Sequence, residues 1–147
     1  MYMKKFLLLI CFIAFPFIAQ AQLNVTDKAE KPIKVCHSFT MMGNAELYQS
    51  GDVYYIYIRS TNQFDDVELM YIGDSKESAL QTLQDLESLF KSTPKGEIVY
   101  INDHRGQKIS LYKSLKKQFQ VSFRHQAGIR CLGLDNVNAF VNSLLQE

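Results

Sequence analysis

Two stretches of the chain space their apolar residues at a helical interval. Across residues 75–91 the apolar positions Ala79, Leu80, Leu83, Leu86, Leu89 and Phe90 fall on one side of an α-helix. Ser75 is placed to cap its start, and Pro94 follows its end. Asp135, a residue type suited to capping, opens a second helix whose stripe is Val137, Phe140, Val141, Leu144 and Leu145. Each stripe is the face that a helix buries against a sheet.

Shorter runs rich in β-branched and aromatic residues read as strands: 47–49, 53–59, 67–72, 98–101, 109–113, 119–123 and 129–132. Ser50-Gly51-Asp52 joins the first two as a tight turn. Phe119, Val121 and Phe123 alternate with Gln120 and Ser122, the signature of a strand with one wet face. The composition of Asn102-Asp103-His104-Arg105-Gly106 is that of a loop.

The order of these elements recurs. Leu47-Tyr48-Gln49-Ser50 precedes a turn and an aromatic strand, as does Leu111-Tyr112-Lys113-Ser114. Strand 67–72 passes through Gly73-Asp74-Ser75 into a helix, and strand 129–132 passes through Gly133-Leu134-Asp135 into another. Ala79 and Ala139 take corresponding places, at an offset of about 60 residues. The expectation is an α+β fold, a two-layer sandwich of mainly antiparallel sheet with two amphipathic helices on one face. It would be built from tandem strand-rich repeats, 35–91 and 98–147, each closed by a helix. The opposite sheet face is then left for a partner.

The N-terminal pattern is of another kind. Lys4 and Lys5 precede an apolar run from Phe6 to Ile18, and Ala19-Gln20-Ala21 supplies small residues where a signal peptidase reads. Residues 1–21 read as a signal peptide, cleaved after Ala21, that exports the chain to the periplasm or the extracellular space. The run is about 13 residues, short of the roughly 20 that cross a bilayer, so no membrane span is expected after cleavage. Cys11 sits inside the run, not just after it, which argues against a lipid anchor. Residues 22–34, polar and containing Pro32, read as a flexible lead-in to a single domain over 35–147. Asn24-Val25-Thr26 matches a glycosylation sequon that matters only in a eukaryotic source.

Cleavage would leave 126 of the 147 residues, enough for one core without metals. It would also take the formal charge from +1 to −1, because Lys4 and Lys5 leave. A nearly neutral chain with one surviving basic pair, Lys116-Lys117, lacks the electrostatic footprint of a nucleic-acid binder.

Candidate chemistry is sparse. Cys36 and Cys131 remain after cleavage, in a compartment where disulfides persist. Bonding them would close a loop of 95 residues, worth up to roughly 4–5 kcal/mol in the chain-entropy model. The alternative is two separately buried thiols. A cysteine enzyme would need a base within hydrogen-bond reach of Cys36. His37 is its neighbour and points to the other face of a strand, so His104 or His125 would have to arrive through the fold. No paired spacing of cysteines or histidines suggests a metal site. Asp65-Asp66, with Glu68 nearby, read as a solvated loop. No glycine-rich phosphate loop or serine elbow is present, so no cofactor is expected.

One strand points to binding. In Val53-Tyr54-Tyr55-Ile56-Tyr57-Ile58 both faces are apolar or aromatic. With Tyr54, Ile56 and Ile58 turned to the helices, Val53, Tyr55 and Tyr57 face outward and offer large contact area with polar tips. The leading expectation is a small exported, non-catalytic protein that binds a protein or surface ligand through this face. A homodimer through the same face, and an exported enzyme using Cys36 with a distant histidine, are the alternatives.

Overall fold

The computed structural model of the protein describes residues 31–62, 67–123 and 129–146. The signal-like segment 1–21, the sequon at Asn24, the Asp65-Asp66 pair and His125 lie outside the described residues.

The chain runs β1 (Ile33–Thr40), β2 (Gly43–Ser50), β3 (Val53–Ile58), β4 (Leu69–Gly73), α1 (Lys76–Ser92), β5 (Ile98–Asn102), β6 (Lys108–Leu115), β7 (Gln118–Phe123), β8 (Arg130–Gly133) and α2 (Leu134–Gln146). Strands β1 to β4 form one antiparallel sheet in sequence order, and β5 to β8 form a second. The fold is therefore α+β, with two four-stranded units each followed by a helix. Strand β1 begins at Ile33, two residues inside the segment read as lead-in.

Pairing registers bring the two units into correspondence. Leu47 opposes Ile56 as Leu111 opposes Val121, and Ala45 opposes Ile58 as Ile109 opposes Phe123. All eight are buried, because directly opposed residues share a face and this face is turned inward. On the outer face Tyr48 opposes Tyr55 where Tyr112 opposes Gln120, and Glu46 opposes Tyr57 where Ser110 opposes Ser122. The repeat preserves the inner face and changes the outer one.

At both helix starts the backbone N–H of the residue before the helix donates to a side chain three residues on. Ser75 caps α1 by accepting from the Ser78 backbone N–H, and the Ser75 N–H donates to the Ser78 hydroxyl. At α2 the Gly133 N–H donates to the Asn136 carboxamide oxygen at 2.7 Å. Helix α2 includes Leu134, so Asp135 lies in its first turn, where a carboxylate favours the helix dipole. The stripes Ala79, Leu83, Leu86, Phe90 and Val137, Phe140, Leu144 join the inner faces of both sheets in one core.

The units interlock. Helix α2 packs against β1 of the first sheet as well as against α1. Buried Asn136 donates to the Ser38 carbonyl and hydroxyl, both at 2.9 Å, and to the Gly43 carbonyl at 3.2 Å. Gln118 donates to the Met42 carbonyl at 2.8 Å, and a Cβ added to Gly43 would lie 2.5 Å from the Cys131 carbonyl. In the other direction, the loop after β5 closes the free edge of β4. The His104 N–H donates to the Tyr71 carbonyl at 2.8 Å, and the Tyr71 N–H donates to the Asp103 carboxylate at 3.1 Å.

Candidate functional site

The outer face of the first sheet carries an aromatic row. Strand pairing places Tyr48 beside Tyr55 and Tyr55 beside Tyr71, from β2, β3 and β4. The Tyr48 and Tyr55 rings stack at 5.6 Å with planes 10° apart, and Tyr55 and Tyr71 meet at 5.8 Å, tilted by 51°. Tyr57, next along β3 on the same face, opposes Glu46 on one side and Leu69 on the other. Strand alternation thus turns Tyr55 and Tyr57 away from the core, as their spacing from buried Ile56 and Ile58 requires. Tyr55 is nonetheless only 9% exposed, because the tyrosines on either side cover it. Val53 is half-buried at the start of β3, opposite Ser50.

Glu46 anchors this face. Alternation places it outward, yet it is 1% exposed. Its carboxylate accepts from Lys34 Nζ at 2.8 Å, from the Tyr48 hydroxyl at 2.9 Å and from Arg59 Nη2 at 3.2 Å. Burial pushes the Glu46 carboxyl up. The hydrogen bonds from Lys34, Tyr48 and Arg59, with the charge of Arg59, outweigh burial and hold the pKa at about 2. The same contact with Glu46 raises the Lys34 ammonium. Burial raises the Tyr48 phenol, helped by Glu46, and burial likewise raises Tyr55. Both phenols are therefore neutral at pH 7. They supply surface and hydroxyl groups.

Cations rim the row. The Arg105 guanidinium lies 3.8 Å from the centre of the Tyr71 ring, Lys34 is 5.6 Å from Tyr48, and Arg59 is 5.7 Å from Tyr57. Carboxylates lie among them: Glu46 accepts from Lys34 and Arg59, and Asp103 accepts from the Tyr71 and Arg105 backbone N–H groups. The second sheet has no such row: at the places of Tyr55, Tyr57 and Tyr71 stand Gln120, Ser122 and Cys131.

Cys36 and Cys131 are free thiols, so of the two alternatives the bond suggested by compartment and count is not formed. The register gives the reason. Cys36 opposes core-facing Leu47 and packs on the core. Cys131 opposes Gln120 on the outer side of the second sheet and lines a groove with Phe39, Met41 and Ile129. The two side chains leave their sheets in unrelated directions. Burial pushes the Cys131 thiol up and keeps it protonated, a poor nucleophile.

The cysteine–histidine alternative gains no pair among the described residues. His37 lies on the face opposite Cys36 and contacts Asn44 at 3.1 Å. His104 sits at the β4 edge, 3.4 Å from Asp74. Three strand spacings, roughly 14 Å, separate that edge from β1. Among the described residues no group of three or more histidine, cysteine or acidic side chains is arranged to hold a metal ion, and no helix is long and apolar enough to cross a membrane.

No protein-family model, curated protein or solved structure matches the chain.

Proposed function

We propose that the protein is an exported, non-catalytic binding domain that docks a protein partner on the tyrosine face of its first sheet. One observation carries this reading: the outer faces of the two repeats differ while their inner faces correspond. A duplicated fold needs only its inner face to persist. The stacked row Tyr48, Tyr55 and Tyr71 and the buried Glu46 with Lys34 and Arg59 belong to the first copy, where the second has the separate Tyr100 and Tyr112, and the row concentrates the residue types that anchor interfaces. The exposed cations Lys34, Arg59 and Arg105 at the rim suit a partner with acidic side chains nearby.

The test is site-specific photo-crosslinking in the protein's own cells. A photoreactive amino acid replaces Tyr57 in one strain and Tyr112, on the outer face of the second sheet, in another. The proposal expects a discrete heterologous adduct from position 57 and none from position 112. Adducts only with a second copy of the chain would replace the proposal with a homodimer. Equal adducts from both positions would refute the assignment of the face. Fractionation of the same cells reads the export half: mature protein beginning near Gln22 outside the cytoplasm is expected.

A further inference from the structure

A second feature lies away from the tyrosine face. The end of α1, the β6–β7 turn and the start of α2 border a half-open cavity of about 390 Å³. Five lysines line it, Lys91, Lys95, Lys113, Lys116 and Lys117, with Phe90, Thr93 and Leu134. The whole chain has 16 lysines and arginines and a net charge of +1, so this is a local concentration of charge. Glu87 pairs with Lys91 at 2.6 Å, and Asp135 lies 3.8 Å from Lys117. Among the described residues Lys95, Lys113 and Lys116 have no acidic partner within 4 Å, leaving an excess of three positive charges.

Lys113 is the telling member. It is 2% exposed, and its ammonium lies over the rings of Phe90 and Phe119 at 4.8 and 4.6 Å. Its hydrogen-bond acceptor is the Phe90 carbonyl in the last turn of α1. That contact uses one of three N–H donors and supplies no negative charge. A buried ammonium without a counter-charge is costly to hold. The fold does not require it: at the corresponding register position of the first unit stands Gln49, which donates to the Gly51 carbonyl.

We propose that this cavity binds a tetrahedral oxyanion, a phosphate or sulfate group borne by a small ligand. The ammonium of Lys113 meets the anion at the base of the cavity, and Lys95 and Lys116 meet it at the mouth. A dianion offsets most of the local excess charge, and lysines grip a tetrahedral group as point charges without demanding a planar fork. The volume lies toward the small end of the roughly 300–1,000 Å³ range of ligand pockets, which suits a phosphate or sulfate ester with a compact body. Phe90 and Leu134 give that body an apolar wall.

Thermal unfolding of the purified domain tests this, with inorganic phosphate and sodium sulfate as probes against sodium chloride at matched ionic strength. A saturable rise in Tm with phosphate or sulfate, beyond the chloride control, is expected, and the stronger of the two identifies the ester. Lys113→Met should melt above the wild type without anion, since an uncompensated buried charge is removed. It should also weaken the anion response roughly tenfold or more. Lys95→Gln with Lys116→Gln, both on exposed residues, should leave the basal Tm unchanged and weaken the response in the same direction. This double variant decides the matter should Lys113→Met fail to fold. A response no larger than that to chloride overturns the proposal. So does a full response in the variants, which would leave Lys113 as a cap of α1 alone.

Discussion

Replacing Glu46 by glutamine is the sharpest test of how the tyrosine face is held together. The substitution keeps the size of a side chain that is 1% exposed and removes its charge. Lys34 and Arg59 are each about half exposed, so water re-solvates them, and the loss falls mainly on the carboxylate side. The native carboxyl titrates at about 2 against 4.5 for the free group, and each pH unit is worth about 1.4 kcal/mol. The ionised carboxylate therefore contributes roughly 3 kcal/mol to folding at neutral pH. A depressed native pKa fixes the sign: the contribution is complete above about pH 5 and is lost as pH falls toward 2, with about 2 kcal/mol gone by pH 3. Urea unfolding of the wild type and Glu46→Gln at pH 7, 5, 3 and 2 measures it. The two stabilities should differ by about 3 kcal/mol at pH 7 and converge at pH 2. Other acids titrate in both proteins and cancel in the difference. A gap that stays constant with pH, or no gap at pH 7, would refute the reasoning.

Three further outcomes follow from the packing. Asn136→Ala strips partners from the Gly133 N–H and the Ser38 and Gly43 carbonyls, and should cost about 3 kcal/mol in urea unfolding. Gly43→Ala places a methyl 2.5 Å from the Asn136 carboxamide oxygen and the Cys131 carbonyl, and should lower stability by about 1–3 kcal/mol through overpacking. Intact-mass measurement after unfolding and alkylation without reductant should find both Cys36 and Cys131 modified. A mature mass two daltons low with no alkylation would instead show them bonded.

What the sequence made legible follows the range of each signal. The α1 stripe, its Ser75 cap and the outward turn of Tyr55 and Tyr57 are local patterns, and they stand in the structure where the pattern put them. Strand β1 was illegible because its inward positions are Cys36 and Ser38. Small or polar residues there break the alternation, and it is the distant Asn136 that bonds the Ser38 hydroxyl. Glu46 alternates as an outward polar residue. Its burial depends on Lys34, Tyr48 and Arg59, which no spacing rule connects to it. Lys113 did leave a trace, since Ile109, Leu111 and Lys113 share a period of two. The cavity itself needed Lys91 from the far end of α1 and Lys95 from the turn after it.

The docking of α2 onto β1 has a consequence in time. The inner face of β1 is covered by α2, so the most sequence-distant elements among the described residues complete each other. Pairings of that kind raise the entropic barrier to folding and slow it. A ribosome-bound chain lacking residues 134–146 has an unfilled flank along β1 and lacks the Asn136 hydrogen bonds to Ser38. The first sheet therefore gains its full cover only after residues 134–146 have emerged, about 100 residues behind β1.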